Sequence, residues 1–429
     1  MVYSQYNEFI ANPVSDTTIY LFNCMSRRWL ELDVRLADII RAHKDSIDEL
    51  EKIHPELFDA MVEGKFVNVD RQIELGECLS GLDKQLNSKR RLKITINPTL
   101  DCNLRCWYCY EKHLDGSCMS EETIHRTIAY LDKILTKEVD YLQLSFFGGE
   151  PFLRYHEVIR PIIDRTEKMC KERGVILQLH FTTNATLLSQ DILDDLKRLK
   201  DRTYFQIAID GDSECHNRIK FFADGKGSYS YVLANVRAAI KKGYNVSLRC
   251  NYSRKSLFSF IRVVEDFKDL LGWKNLRFSF HRIWQESKDD ELFEIIRNFK
   301  KQIAPYNIKS NLNSSTGNSV NHCYGDYNHN IVINYNGDVF KCTARDFKKE
   351  KRLGYLDIDG DICYNGAAIE RQRHCYTPYC FGCRILPICP LCSQARSESK
   401  SGKCPIDVDD VGVRWNMRAV FRDISGIKV

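Results

Sequence analysis

The segment from Leu92 to Tyr110, LKITINPTLDCNLRCWYCY, joins a strand-like run (92–97) to three cysteines spaced Cys102-x3-Cys106-x2-Cys109. Three thiolates within eight residues, on a loop at the C-terminal end of a strand, form a ligand set for three irons of a 4Fe-4S cube. The fourth iron is then left open for chemistry. Zinc is the competing reading, but structural zinc sites take four protein ligands in C-x2-4-C pairs, and no fourth ligand has an obvious place here. Unliganded thiols are the third.

On either side of this segment the chain alternates strands with helices. After LKITIN come YLQLSFF (141–147), VILQLHF (175–181), YFQIAID (204–210), NVSLRCN (245–251) and LRFSFHR (276–282). Amphipathic stretches lie between them, such as SEETIHRTIAYLDKIL, whose Ser120, Glu121, Glu122 and Thr123 give an acidic first turn suited to the helix dipole. Six strands separated by helices predict a parallel sheet, doubly wound or curled into a barrel, with functional groups at the C-terminal strand ends.

The cysteine spacing, with aromatic Tyr108 before the last cysteine, resembles the signature of the radical S-adenosylmethionine (radical SAM) superfamily, and the resemblance runs to about residue 305. Gly148-Gly149-Glu150-Pro151 after the second strand matches the family's GGEP motif. The resemblance implies that its glycines let the backbone approach the SAM methionine group and that Glu150 accepts from the amino group. Thr182, Thr183 and Asn184 end the third strand, where the family contacts SAM, and Arg249, near Asn251 on the fifth, would face the SAM carboxylate. The implied fold is α/β, a partial (β/α)6 barrel. The implied activity is one-electron cleavage of SAM to methionine and a 5′-deoxyadenosyl radical, with the cofactor carrying the hard chemistry. Asp210, ending the fourth strand, is the candidate catalytic base. His216 and Arg218, in HNRIKFFADGKGSYS (216–230), are candidate peptide contacts.

Nine of the 18 cysteines fall between Cys323 and Cys404. They read Cys323-x13-Gly337-x4-Cys342, then Cys380-x2-Cys383-x5-Cys389-x2-Cys392-x11-Cys404, with Cys363 and Cys375 between. In IVINYNGDVFKC, Asn336 and Gly337 predict a hairpin with positive backbone dihedrals that folds Cys342 back toward Cys323. The pattern resembles the SPASM extension of radical SAM enzymes, which carries two auxiliary 4Fe-4S clusters. It departs from that pattern in having two residues, not three, between Cys389 and Cys392, which leaves the role of Cys392 open. The resemblance assigns Cys323, Cys342 and Cys392 to a nearer cluster, with Cys363, Cys375 or substrate completing it. Cys380, Cys383, Cys389 and Cys404 go to an outer one. Zinc in the same array stays open, since thiolate count does not separate the two metals. Cys24, Cys78, Cys118, Cys170, Cys215 and Cys250 show no ligand spacing and read as core residues.

Residues 1–85 read as a small α+β module: strands IYLFN and RWLELD, a helix over 45–64 with a stop at Gly64, and a strand at 65–69. Polar Ser80 to Arg91 reads as a linker to the barrel (86–305), and a cysteine-rich SPASM domain follows (306–429). The module resembles the winged-helix-like segment that, in maturases of ribosomally made peptides, pairs an extended leader with a strand edge. A structural cap on the barrel is the alternative.

A chain of 429 residues with 28% charged and 43% hydrophobic residues is globular and multidomain. Its net charge of +5 gives no argument for nucleic acid. With no long apolar run and no secretory signal at its start, the chain is expected to be cytoplasmic and not membrane-bound. The function expected is a peptide maturase that abstracts a hydrogen from a precursor peptide and forms a thioether or carbon-carbon cross-link, fed by an electron donor such as flavodoxin or ferredoxin. The enzymatic alternative is the anaerobic sulfatase-maturating type, which makes formylglycine; its triplet usually lies near the chain start, whereas here about a hundred residues precede it. A zinc-binding interaction protein is the alternative of another class.

Overall fold

Buried apolar residues at every second position mark six segments that form parallel strands: Arg91–Ile96, Tyr141–Phe146, Ile176–Thr183, Thr203–Ile209, Asn245–Tyr252 and Leu276–Arg282. In this computed structural model, which describes residues 1–109, 111–287, 290–312, 322–366, 368, 376–398, 404 and 410–427, each strand pairs with the next in chain order. Cys375 and most of the polar loop at 310–319 lie outside the described residues.

The first and sixth strands are not paired with each other, so the sheet is open, as the radical SAM resemblance implies. Strand alternation gives it two unlike faces. Leu177, Leu179 and Phe181 enter the core, where Phe181 meets Phe146, Phe152 and Phe205 at centroid distances of 5.2, 5.2 and 5.4 Å. Helices such as Glu121–Ile134, Arg160–Arg173 and Tyr229–Lys241 bury their apolar residues in the same core. Ser120 caps the first of them, accepting from the Thr123 N–H. The opposite face presents Gln143, Gln178, His180, Thr182, Gln206, Ser247, Arg249, Ser279 and His281, all part-exposed.

The free edge of the first strand takes Ile331–Ile333 in parallel, and the sheet continues antiparallel through Asp338–Phe340, Gly354–Leu356 and Ile362–Tyr364. The expected hairpin is present, but only Gly337 has positive φ, at +83°; Asn336 does not. The Gly337 N–H bonds Asn334 O at 2.8 Å and the Asn334 N–H bonds Asp338 O at 2.8 Å, a three-residue loop with one left-handed glycine.

Residues 89–314 and 329–369 make up this compact unit. The other comprises residues 1–88, 315–328 and 370–429. In it, Asn7–Ala11, Thr18–Asn23 and Arg28–Asp33 form a three-stranded antiparallel sheet. The expected helix over 45–64 is two helices, Asp48–Ile53 and Pro55–Glu63, because Pro55 cannot continue the first and starts the second. The linker reading of 80–91 is corrected up to Leu86. Arg71–Leu86 is a 16-residue helix, capped by Asp70, that buries Cys78, Leu82 and Leu86. Tyr6, Phe22, Cys24, Cys78, Ile385, Met417 and Phe421 share one core cluster, so N-terminal and C-terminal segments fold as one body.

Candidate active site

The first strand ends at Ile96, and the loop that follows is clipped by the one after the second strand. The Gly149 N–H donates to Thr99 O at 3.2 Å and the Glu150 N–H to Asp101 O at 2.8 Å. A Cβ on Gly148, whose φ is +109°, would stand 2.2 Å from Thr99 O, and one on Gly149 would stand 2.1 Å from Asp101 O. Both glycines are therefore required by the approach of the cysteine loop itself. Glu150 is fully buried and accepts from the Phe152 N–H at 3.1 Å, the Thr183 hydroxyl at 2.7 Å and the Asn184 N–H at 2.8 Å. Burial pushes its carboxyl up to about 7 against these three donors. It thereby ties the third strand end to the GGEP loop. Pro151, also buried, opens a short helical turn.

Within the loop Cys102 is buried, Cys106 half-buried and Cys109 exposed. The Asn184 amide lies 3.9 Å from Cys102 Sγ and donates to Asn103 Oδ1 at 2.9 Å. Burial raises all three thiols above their ordinary values, so holding them as thiolates takes positive charge beside them, which a coordinated metal ion itself supplies.

One cation is in place. Leu104–Cys106 pairs antiparallel with Lys220–Phe222, setting Lys220 opposite Cys106, and its Nζ stands 3.7 Å from Cys106 Sγ. The same ammonium is 3.5 Å from Asp210 Oδ2, with Lys220 7% exposed and Asp210 fully buried. Tyr108 donates to Asp210 Oδ1 at 2.5 Å and accepts from the Asn251 amide at 3.1 Å, and Arg249 Nε donates to Asn251 Oδ1 at 3.0 Å. Arg249, Asn251, Tyr108, Asp210, Lys220 and Cys106 thus form one chain of polar contacts.

His216 is fully buried between the Asp210 N–H at 3.3 Å and Ser228 Oγ at 3.1 Å, and burial lowers its pKa to about 3. This corrects the reading of His216 as a peptide contact: it is a neutral internal brace. Arg218 is exposed and paired with Glu214. Lys220 was missed in the sequence, where a lysine between Ile219 and Phe221 in an otherwise apolar run was the available signal. The part-exposed polar face was legible as the alternate positions of the strands, but it too was missed.

In the other unit, Cys380, Cys383, Cys389 and Cys404 line one small cavity together with Arg396, which is 5% exposed. Cys323 and Cys392 are in mutual hydrogen-bonding contact, and Asp326 accepts from the N–H and hydroxyl of Ser393 beside them, each at 2.8 Å. Cys342, just after Phe340, and Cys363 belong to the sheet-bearing unit. Cys24, Cys78, Cys170 and Cys250 are buried, while Cys118 and Cys215 are half-buried.

Soft thiolates on one glycine-clipped loop, with a buried ammonium facing one of them, fit an iron-sulfur cluster. Among the described residues no three His, Cys, Asp or Glu side chains already close on a single metal ion. A cube holds its thiolates farther apart than a mononuclear metal does, so this spacing does not oppose it.

Residues 96–253 match the radical SAM superfamily. The antilisterial bacteriocin subtilosin biosynthesis protein AlbA of Bacillus subtilis is 25% identical over 332 residues, 68% of this chain and 67% of that protein. A cysteine-type anaerobic sulfatase-maturating enzyme of Clostridium novyi is 25% identical over 167 residues, 37% of this chain and 43% of that one. Among solved structures, SuiB of Streptococcus suis bound to S-adenosylmethionine aligns with a TM-score of 0.52 at 16% identity, covering 96% of this chain and 99% of SuiB. SuiB bound to its precursor peptide SuiA aligns with a TM-score of 0.50 at 15% identity and the same coverage. At these identities the structural likeness is one of fold.

Proposed function

We propose that this chain, whose residues 96–253 match the radical SAM superfamily, is a maturase of ribosomally made peptides that abstracts a hydrogen from a precursor and closes an intramolecular thioether or carbon-carbon bond. The observation that carries the peptide substrate is the N-terminal sheet. Among the described residues its strand Arg28–Asp33 pairs only with Thr18–Asn23, leaving one edge open, with Arg28, Trp29 and Glu31 exposed along it. An extended leader adds to such an edge through main-chain hydrogen bonds, with alternate side chains supplying selectivity. The fold shared with SuiB, solved with its precursor peptide, includes this region, and the similarity to AlbA points to the same class of substrate.

In this reading Cys102, Cys106 and Cys109 hold the SAM-binding cluster, and the loop Gly148-Gly149-Glu150-Pro151 fixes their backbone. Thr182, Thr183, Asn184, Tyr108 and Arg249 position SAM, with the Arg249 guanidinium offered to its carboxylate. Cys380, Cys383, Cys389 and Cys404 hold one auxiliary cluster, and Cys323 and Cys392 are ligands for a second. When bound, the cluster and SAM supply one-electron cleavage of SAM and a 5′-deoxyadenosyl radical. The part-exposed polar face of the sheet, from Gln143 to His281, receives the peptide and orients its reacting residue. A low-potential donor such as flavodoxin or ferredoxin supplies the electron.

Formylglycine formation is the second reading, favoured by the similarity to the sulfatase-maturating enzyme. One experiment separates them. The reconstituted enzyme is incubated anaerobically with SAM, reductant and a candidate precursor, followed by mass spectrometry and an aldehyde-reactive hydrazide probe. The maturase reading expects 5′-deoxyadenosine, a peptide lighter by two hydrogens and no hydrazide adduct, with slowed amide exchange at Arg28–Asp33 on peptide binding. A hydrazide adduct replaces it with the second reading.

A further inference from the structure

Lys220 is a costly residue where it stands. A long, strongly hydrated ammonium has been taken out of water at the centre of a folded unit, where an apolar side chain would pack between Ile219 and Phe221 without that penalty. Its partner does not fully absorb it. Asp210 Oδ2 is 3.5 Å away and makes no conventional hydrogen bond, while Oδ1 is taken by Tyr108. Cys106 Sγ lies 3.7 Å from the ammonium, and the ladder register that sets Lys220 opposite Cys106 holds it there. The ammonium also lies 5.7 Å from the centre of the Tyr108 ring.

We propose that Lys220 is a positioning residue for electron entry: its buried ammonium, fixed against Cys106, raises the reduction potential of the cluster on Cys102, Cys106 and Cys109, and Asp210 is the counter-charge that tempers it. This rests on the iron-sulfur reading of that loop. Uptake of one electron from a low-potential one-electron donor adds one negative charge to the site. Lys220 is protonated before and after, so the electron arrives without a proton through this residue. A positive charge a few ångströms from a thiolate, shielded from solvent, stabilises the reduced form more than the oxidised one. Asp210, fully buried and paired, is thereby assigned to the charge balance of the cluster rather than to proton transfer with substrate.

The test is an EPR-monitored redox titration of the full chain, anaerobically reconstituted, as wild type, K220Q, D210N and the double variant. The signal of this cluster is identified by its loss in the Cys102, Cys106 and Cys109 to Ala triple variant. K220Q is expected to lower the reduced-to-oxidised ratio at fixed potential at least tenfold, which is about 59 mV for a one-electron couple. D210N is expected to shift it the opposite way, and the double variant to return toward wild type. Equal potentials in all four proteins, or K220Q and D210N shifting in the same direction, would overturn the proposal, because a packing role gives no sign reversal. If K220Q does not retain iron, D210N alone decides: an upward shift supports the proposal, and none overturns it. Wild-type protein without iron and sulfide sinks the cluster reading itself, whereas iron with unmoved potentials sinks only the role of Lys220.

Discussion

Gly149 has no room for even one carbon more, since a Cβ there would stand 2.1 Å from the carbonyl of Asp101, the residue before the first cysteine. Gly149→Ala is therefore expected to push the cysteine loop out of register while leaving the sheet folded. Iron content after reconstitution should fall, with far-UV circular dichroism unchanged; full iron loading would show that the loop tolerates the shift. His180 offers a residue-scale test of a different kind. It stacks on Tyr204 at 6.0 Å on the polar face, and burial lowers its pKa to about 4. Because the folded form resists protonation, the unfolded chain binds more protons between the ordinary histidine value of about 6.5 and about 4, and stability is lost as pH falls through that window. From pH 7 to pH 5 the loss attributable to His180 should be about 1–2 kcal/mol. Urea midpoints compared between wild type and His180→Gln check this, with the variant showing the weaker pH dependence.

At the scale of elements, the stacked row of Phe146, Phe181 and Phe205 on three adjacent strands holds the sheet to its helices. Phe181→Ala should destabilise the sheet-bearing unit by about 3–5 kcal/mol, read from denaturant unfolding. The six parallel strands were legible because each is a short run with an apolar residue at every second position between helical stretches, a period that helices do not imitate. The N-terminal elements were harder to read. Asn7–Ala11 carries only Phe9, Ile10 and Ala11 as apolar residues, so its strand character depends on pairing with Thr18–Asn23. Arg71–Leu86 looks polar because its buried stripe is thin, and packing rather than composition makes it a helix. At the hairpin the turn dipeptide was visible in sequence, but the three-residue loop was not, because loop length is set by the pairing of Val332 with Phe340. In the site, the three cysteines and the two glycines could be read from spacing. Lys220 could not be assigned, because the contact that gives it meaning joins positions 106 and 220 across a two-stranded ladder.

For the whole molecule, residues 1–88 and 370–429 fold into one body, so the N-terminal sheet is not a detachable appendage. Truncating the first 85 residues should expose the core around Tyr6, Phe22 and Phe421 and destabilise the C-terminal cysteine region; iron loss or aggregation of the truncated chain would report it. Among the described residues no helix is long and apolar enough to cross a membrane. The central claim is that the cysteine loop holds a 4Fe-4S cluster for radical chemistry. It is tested most directly by iron and sulfide quantitation on anaerobically reconstituted protein beside the Cys102, Cys106 and Cys109 to Ala variant. The account predicts about twelve irons per chain, with matching sulfide, and about four fewer in the variant. Zinc without sulfide, or iron that does not fall when the three cysteines are removed, would contradict it.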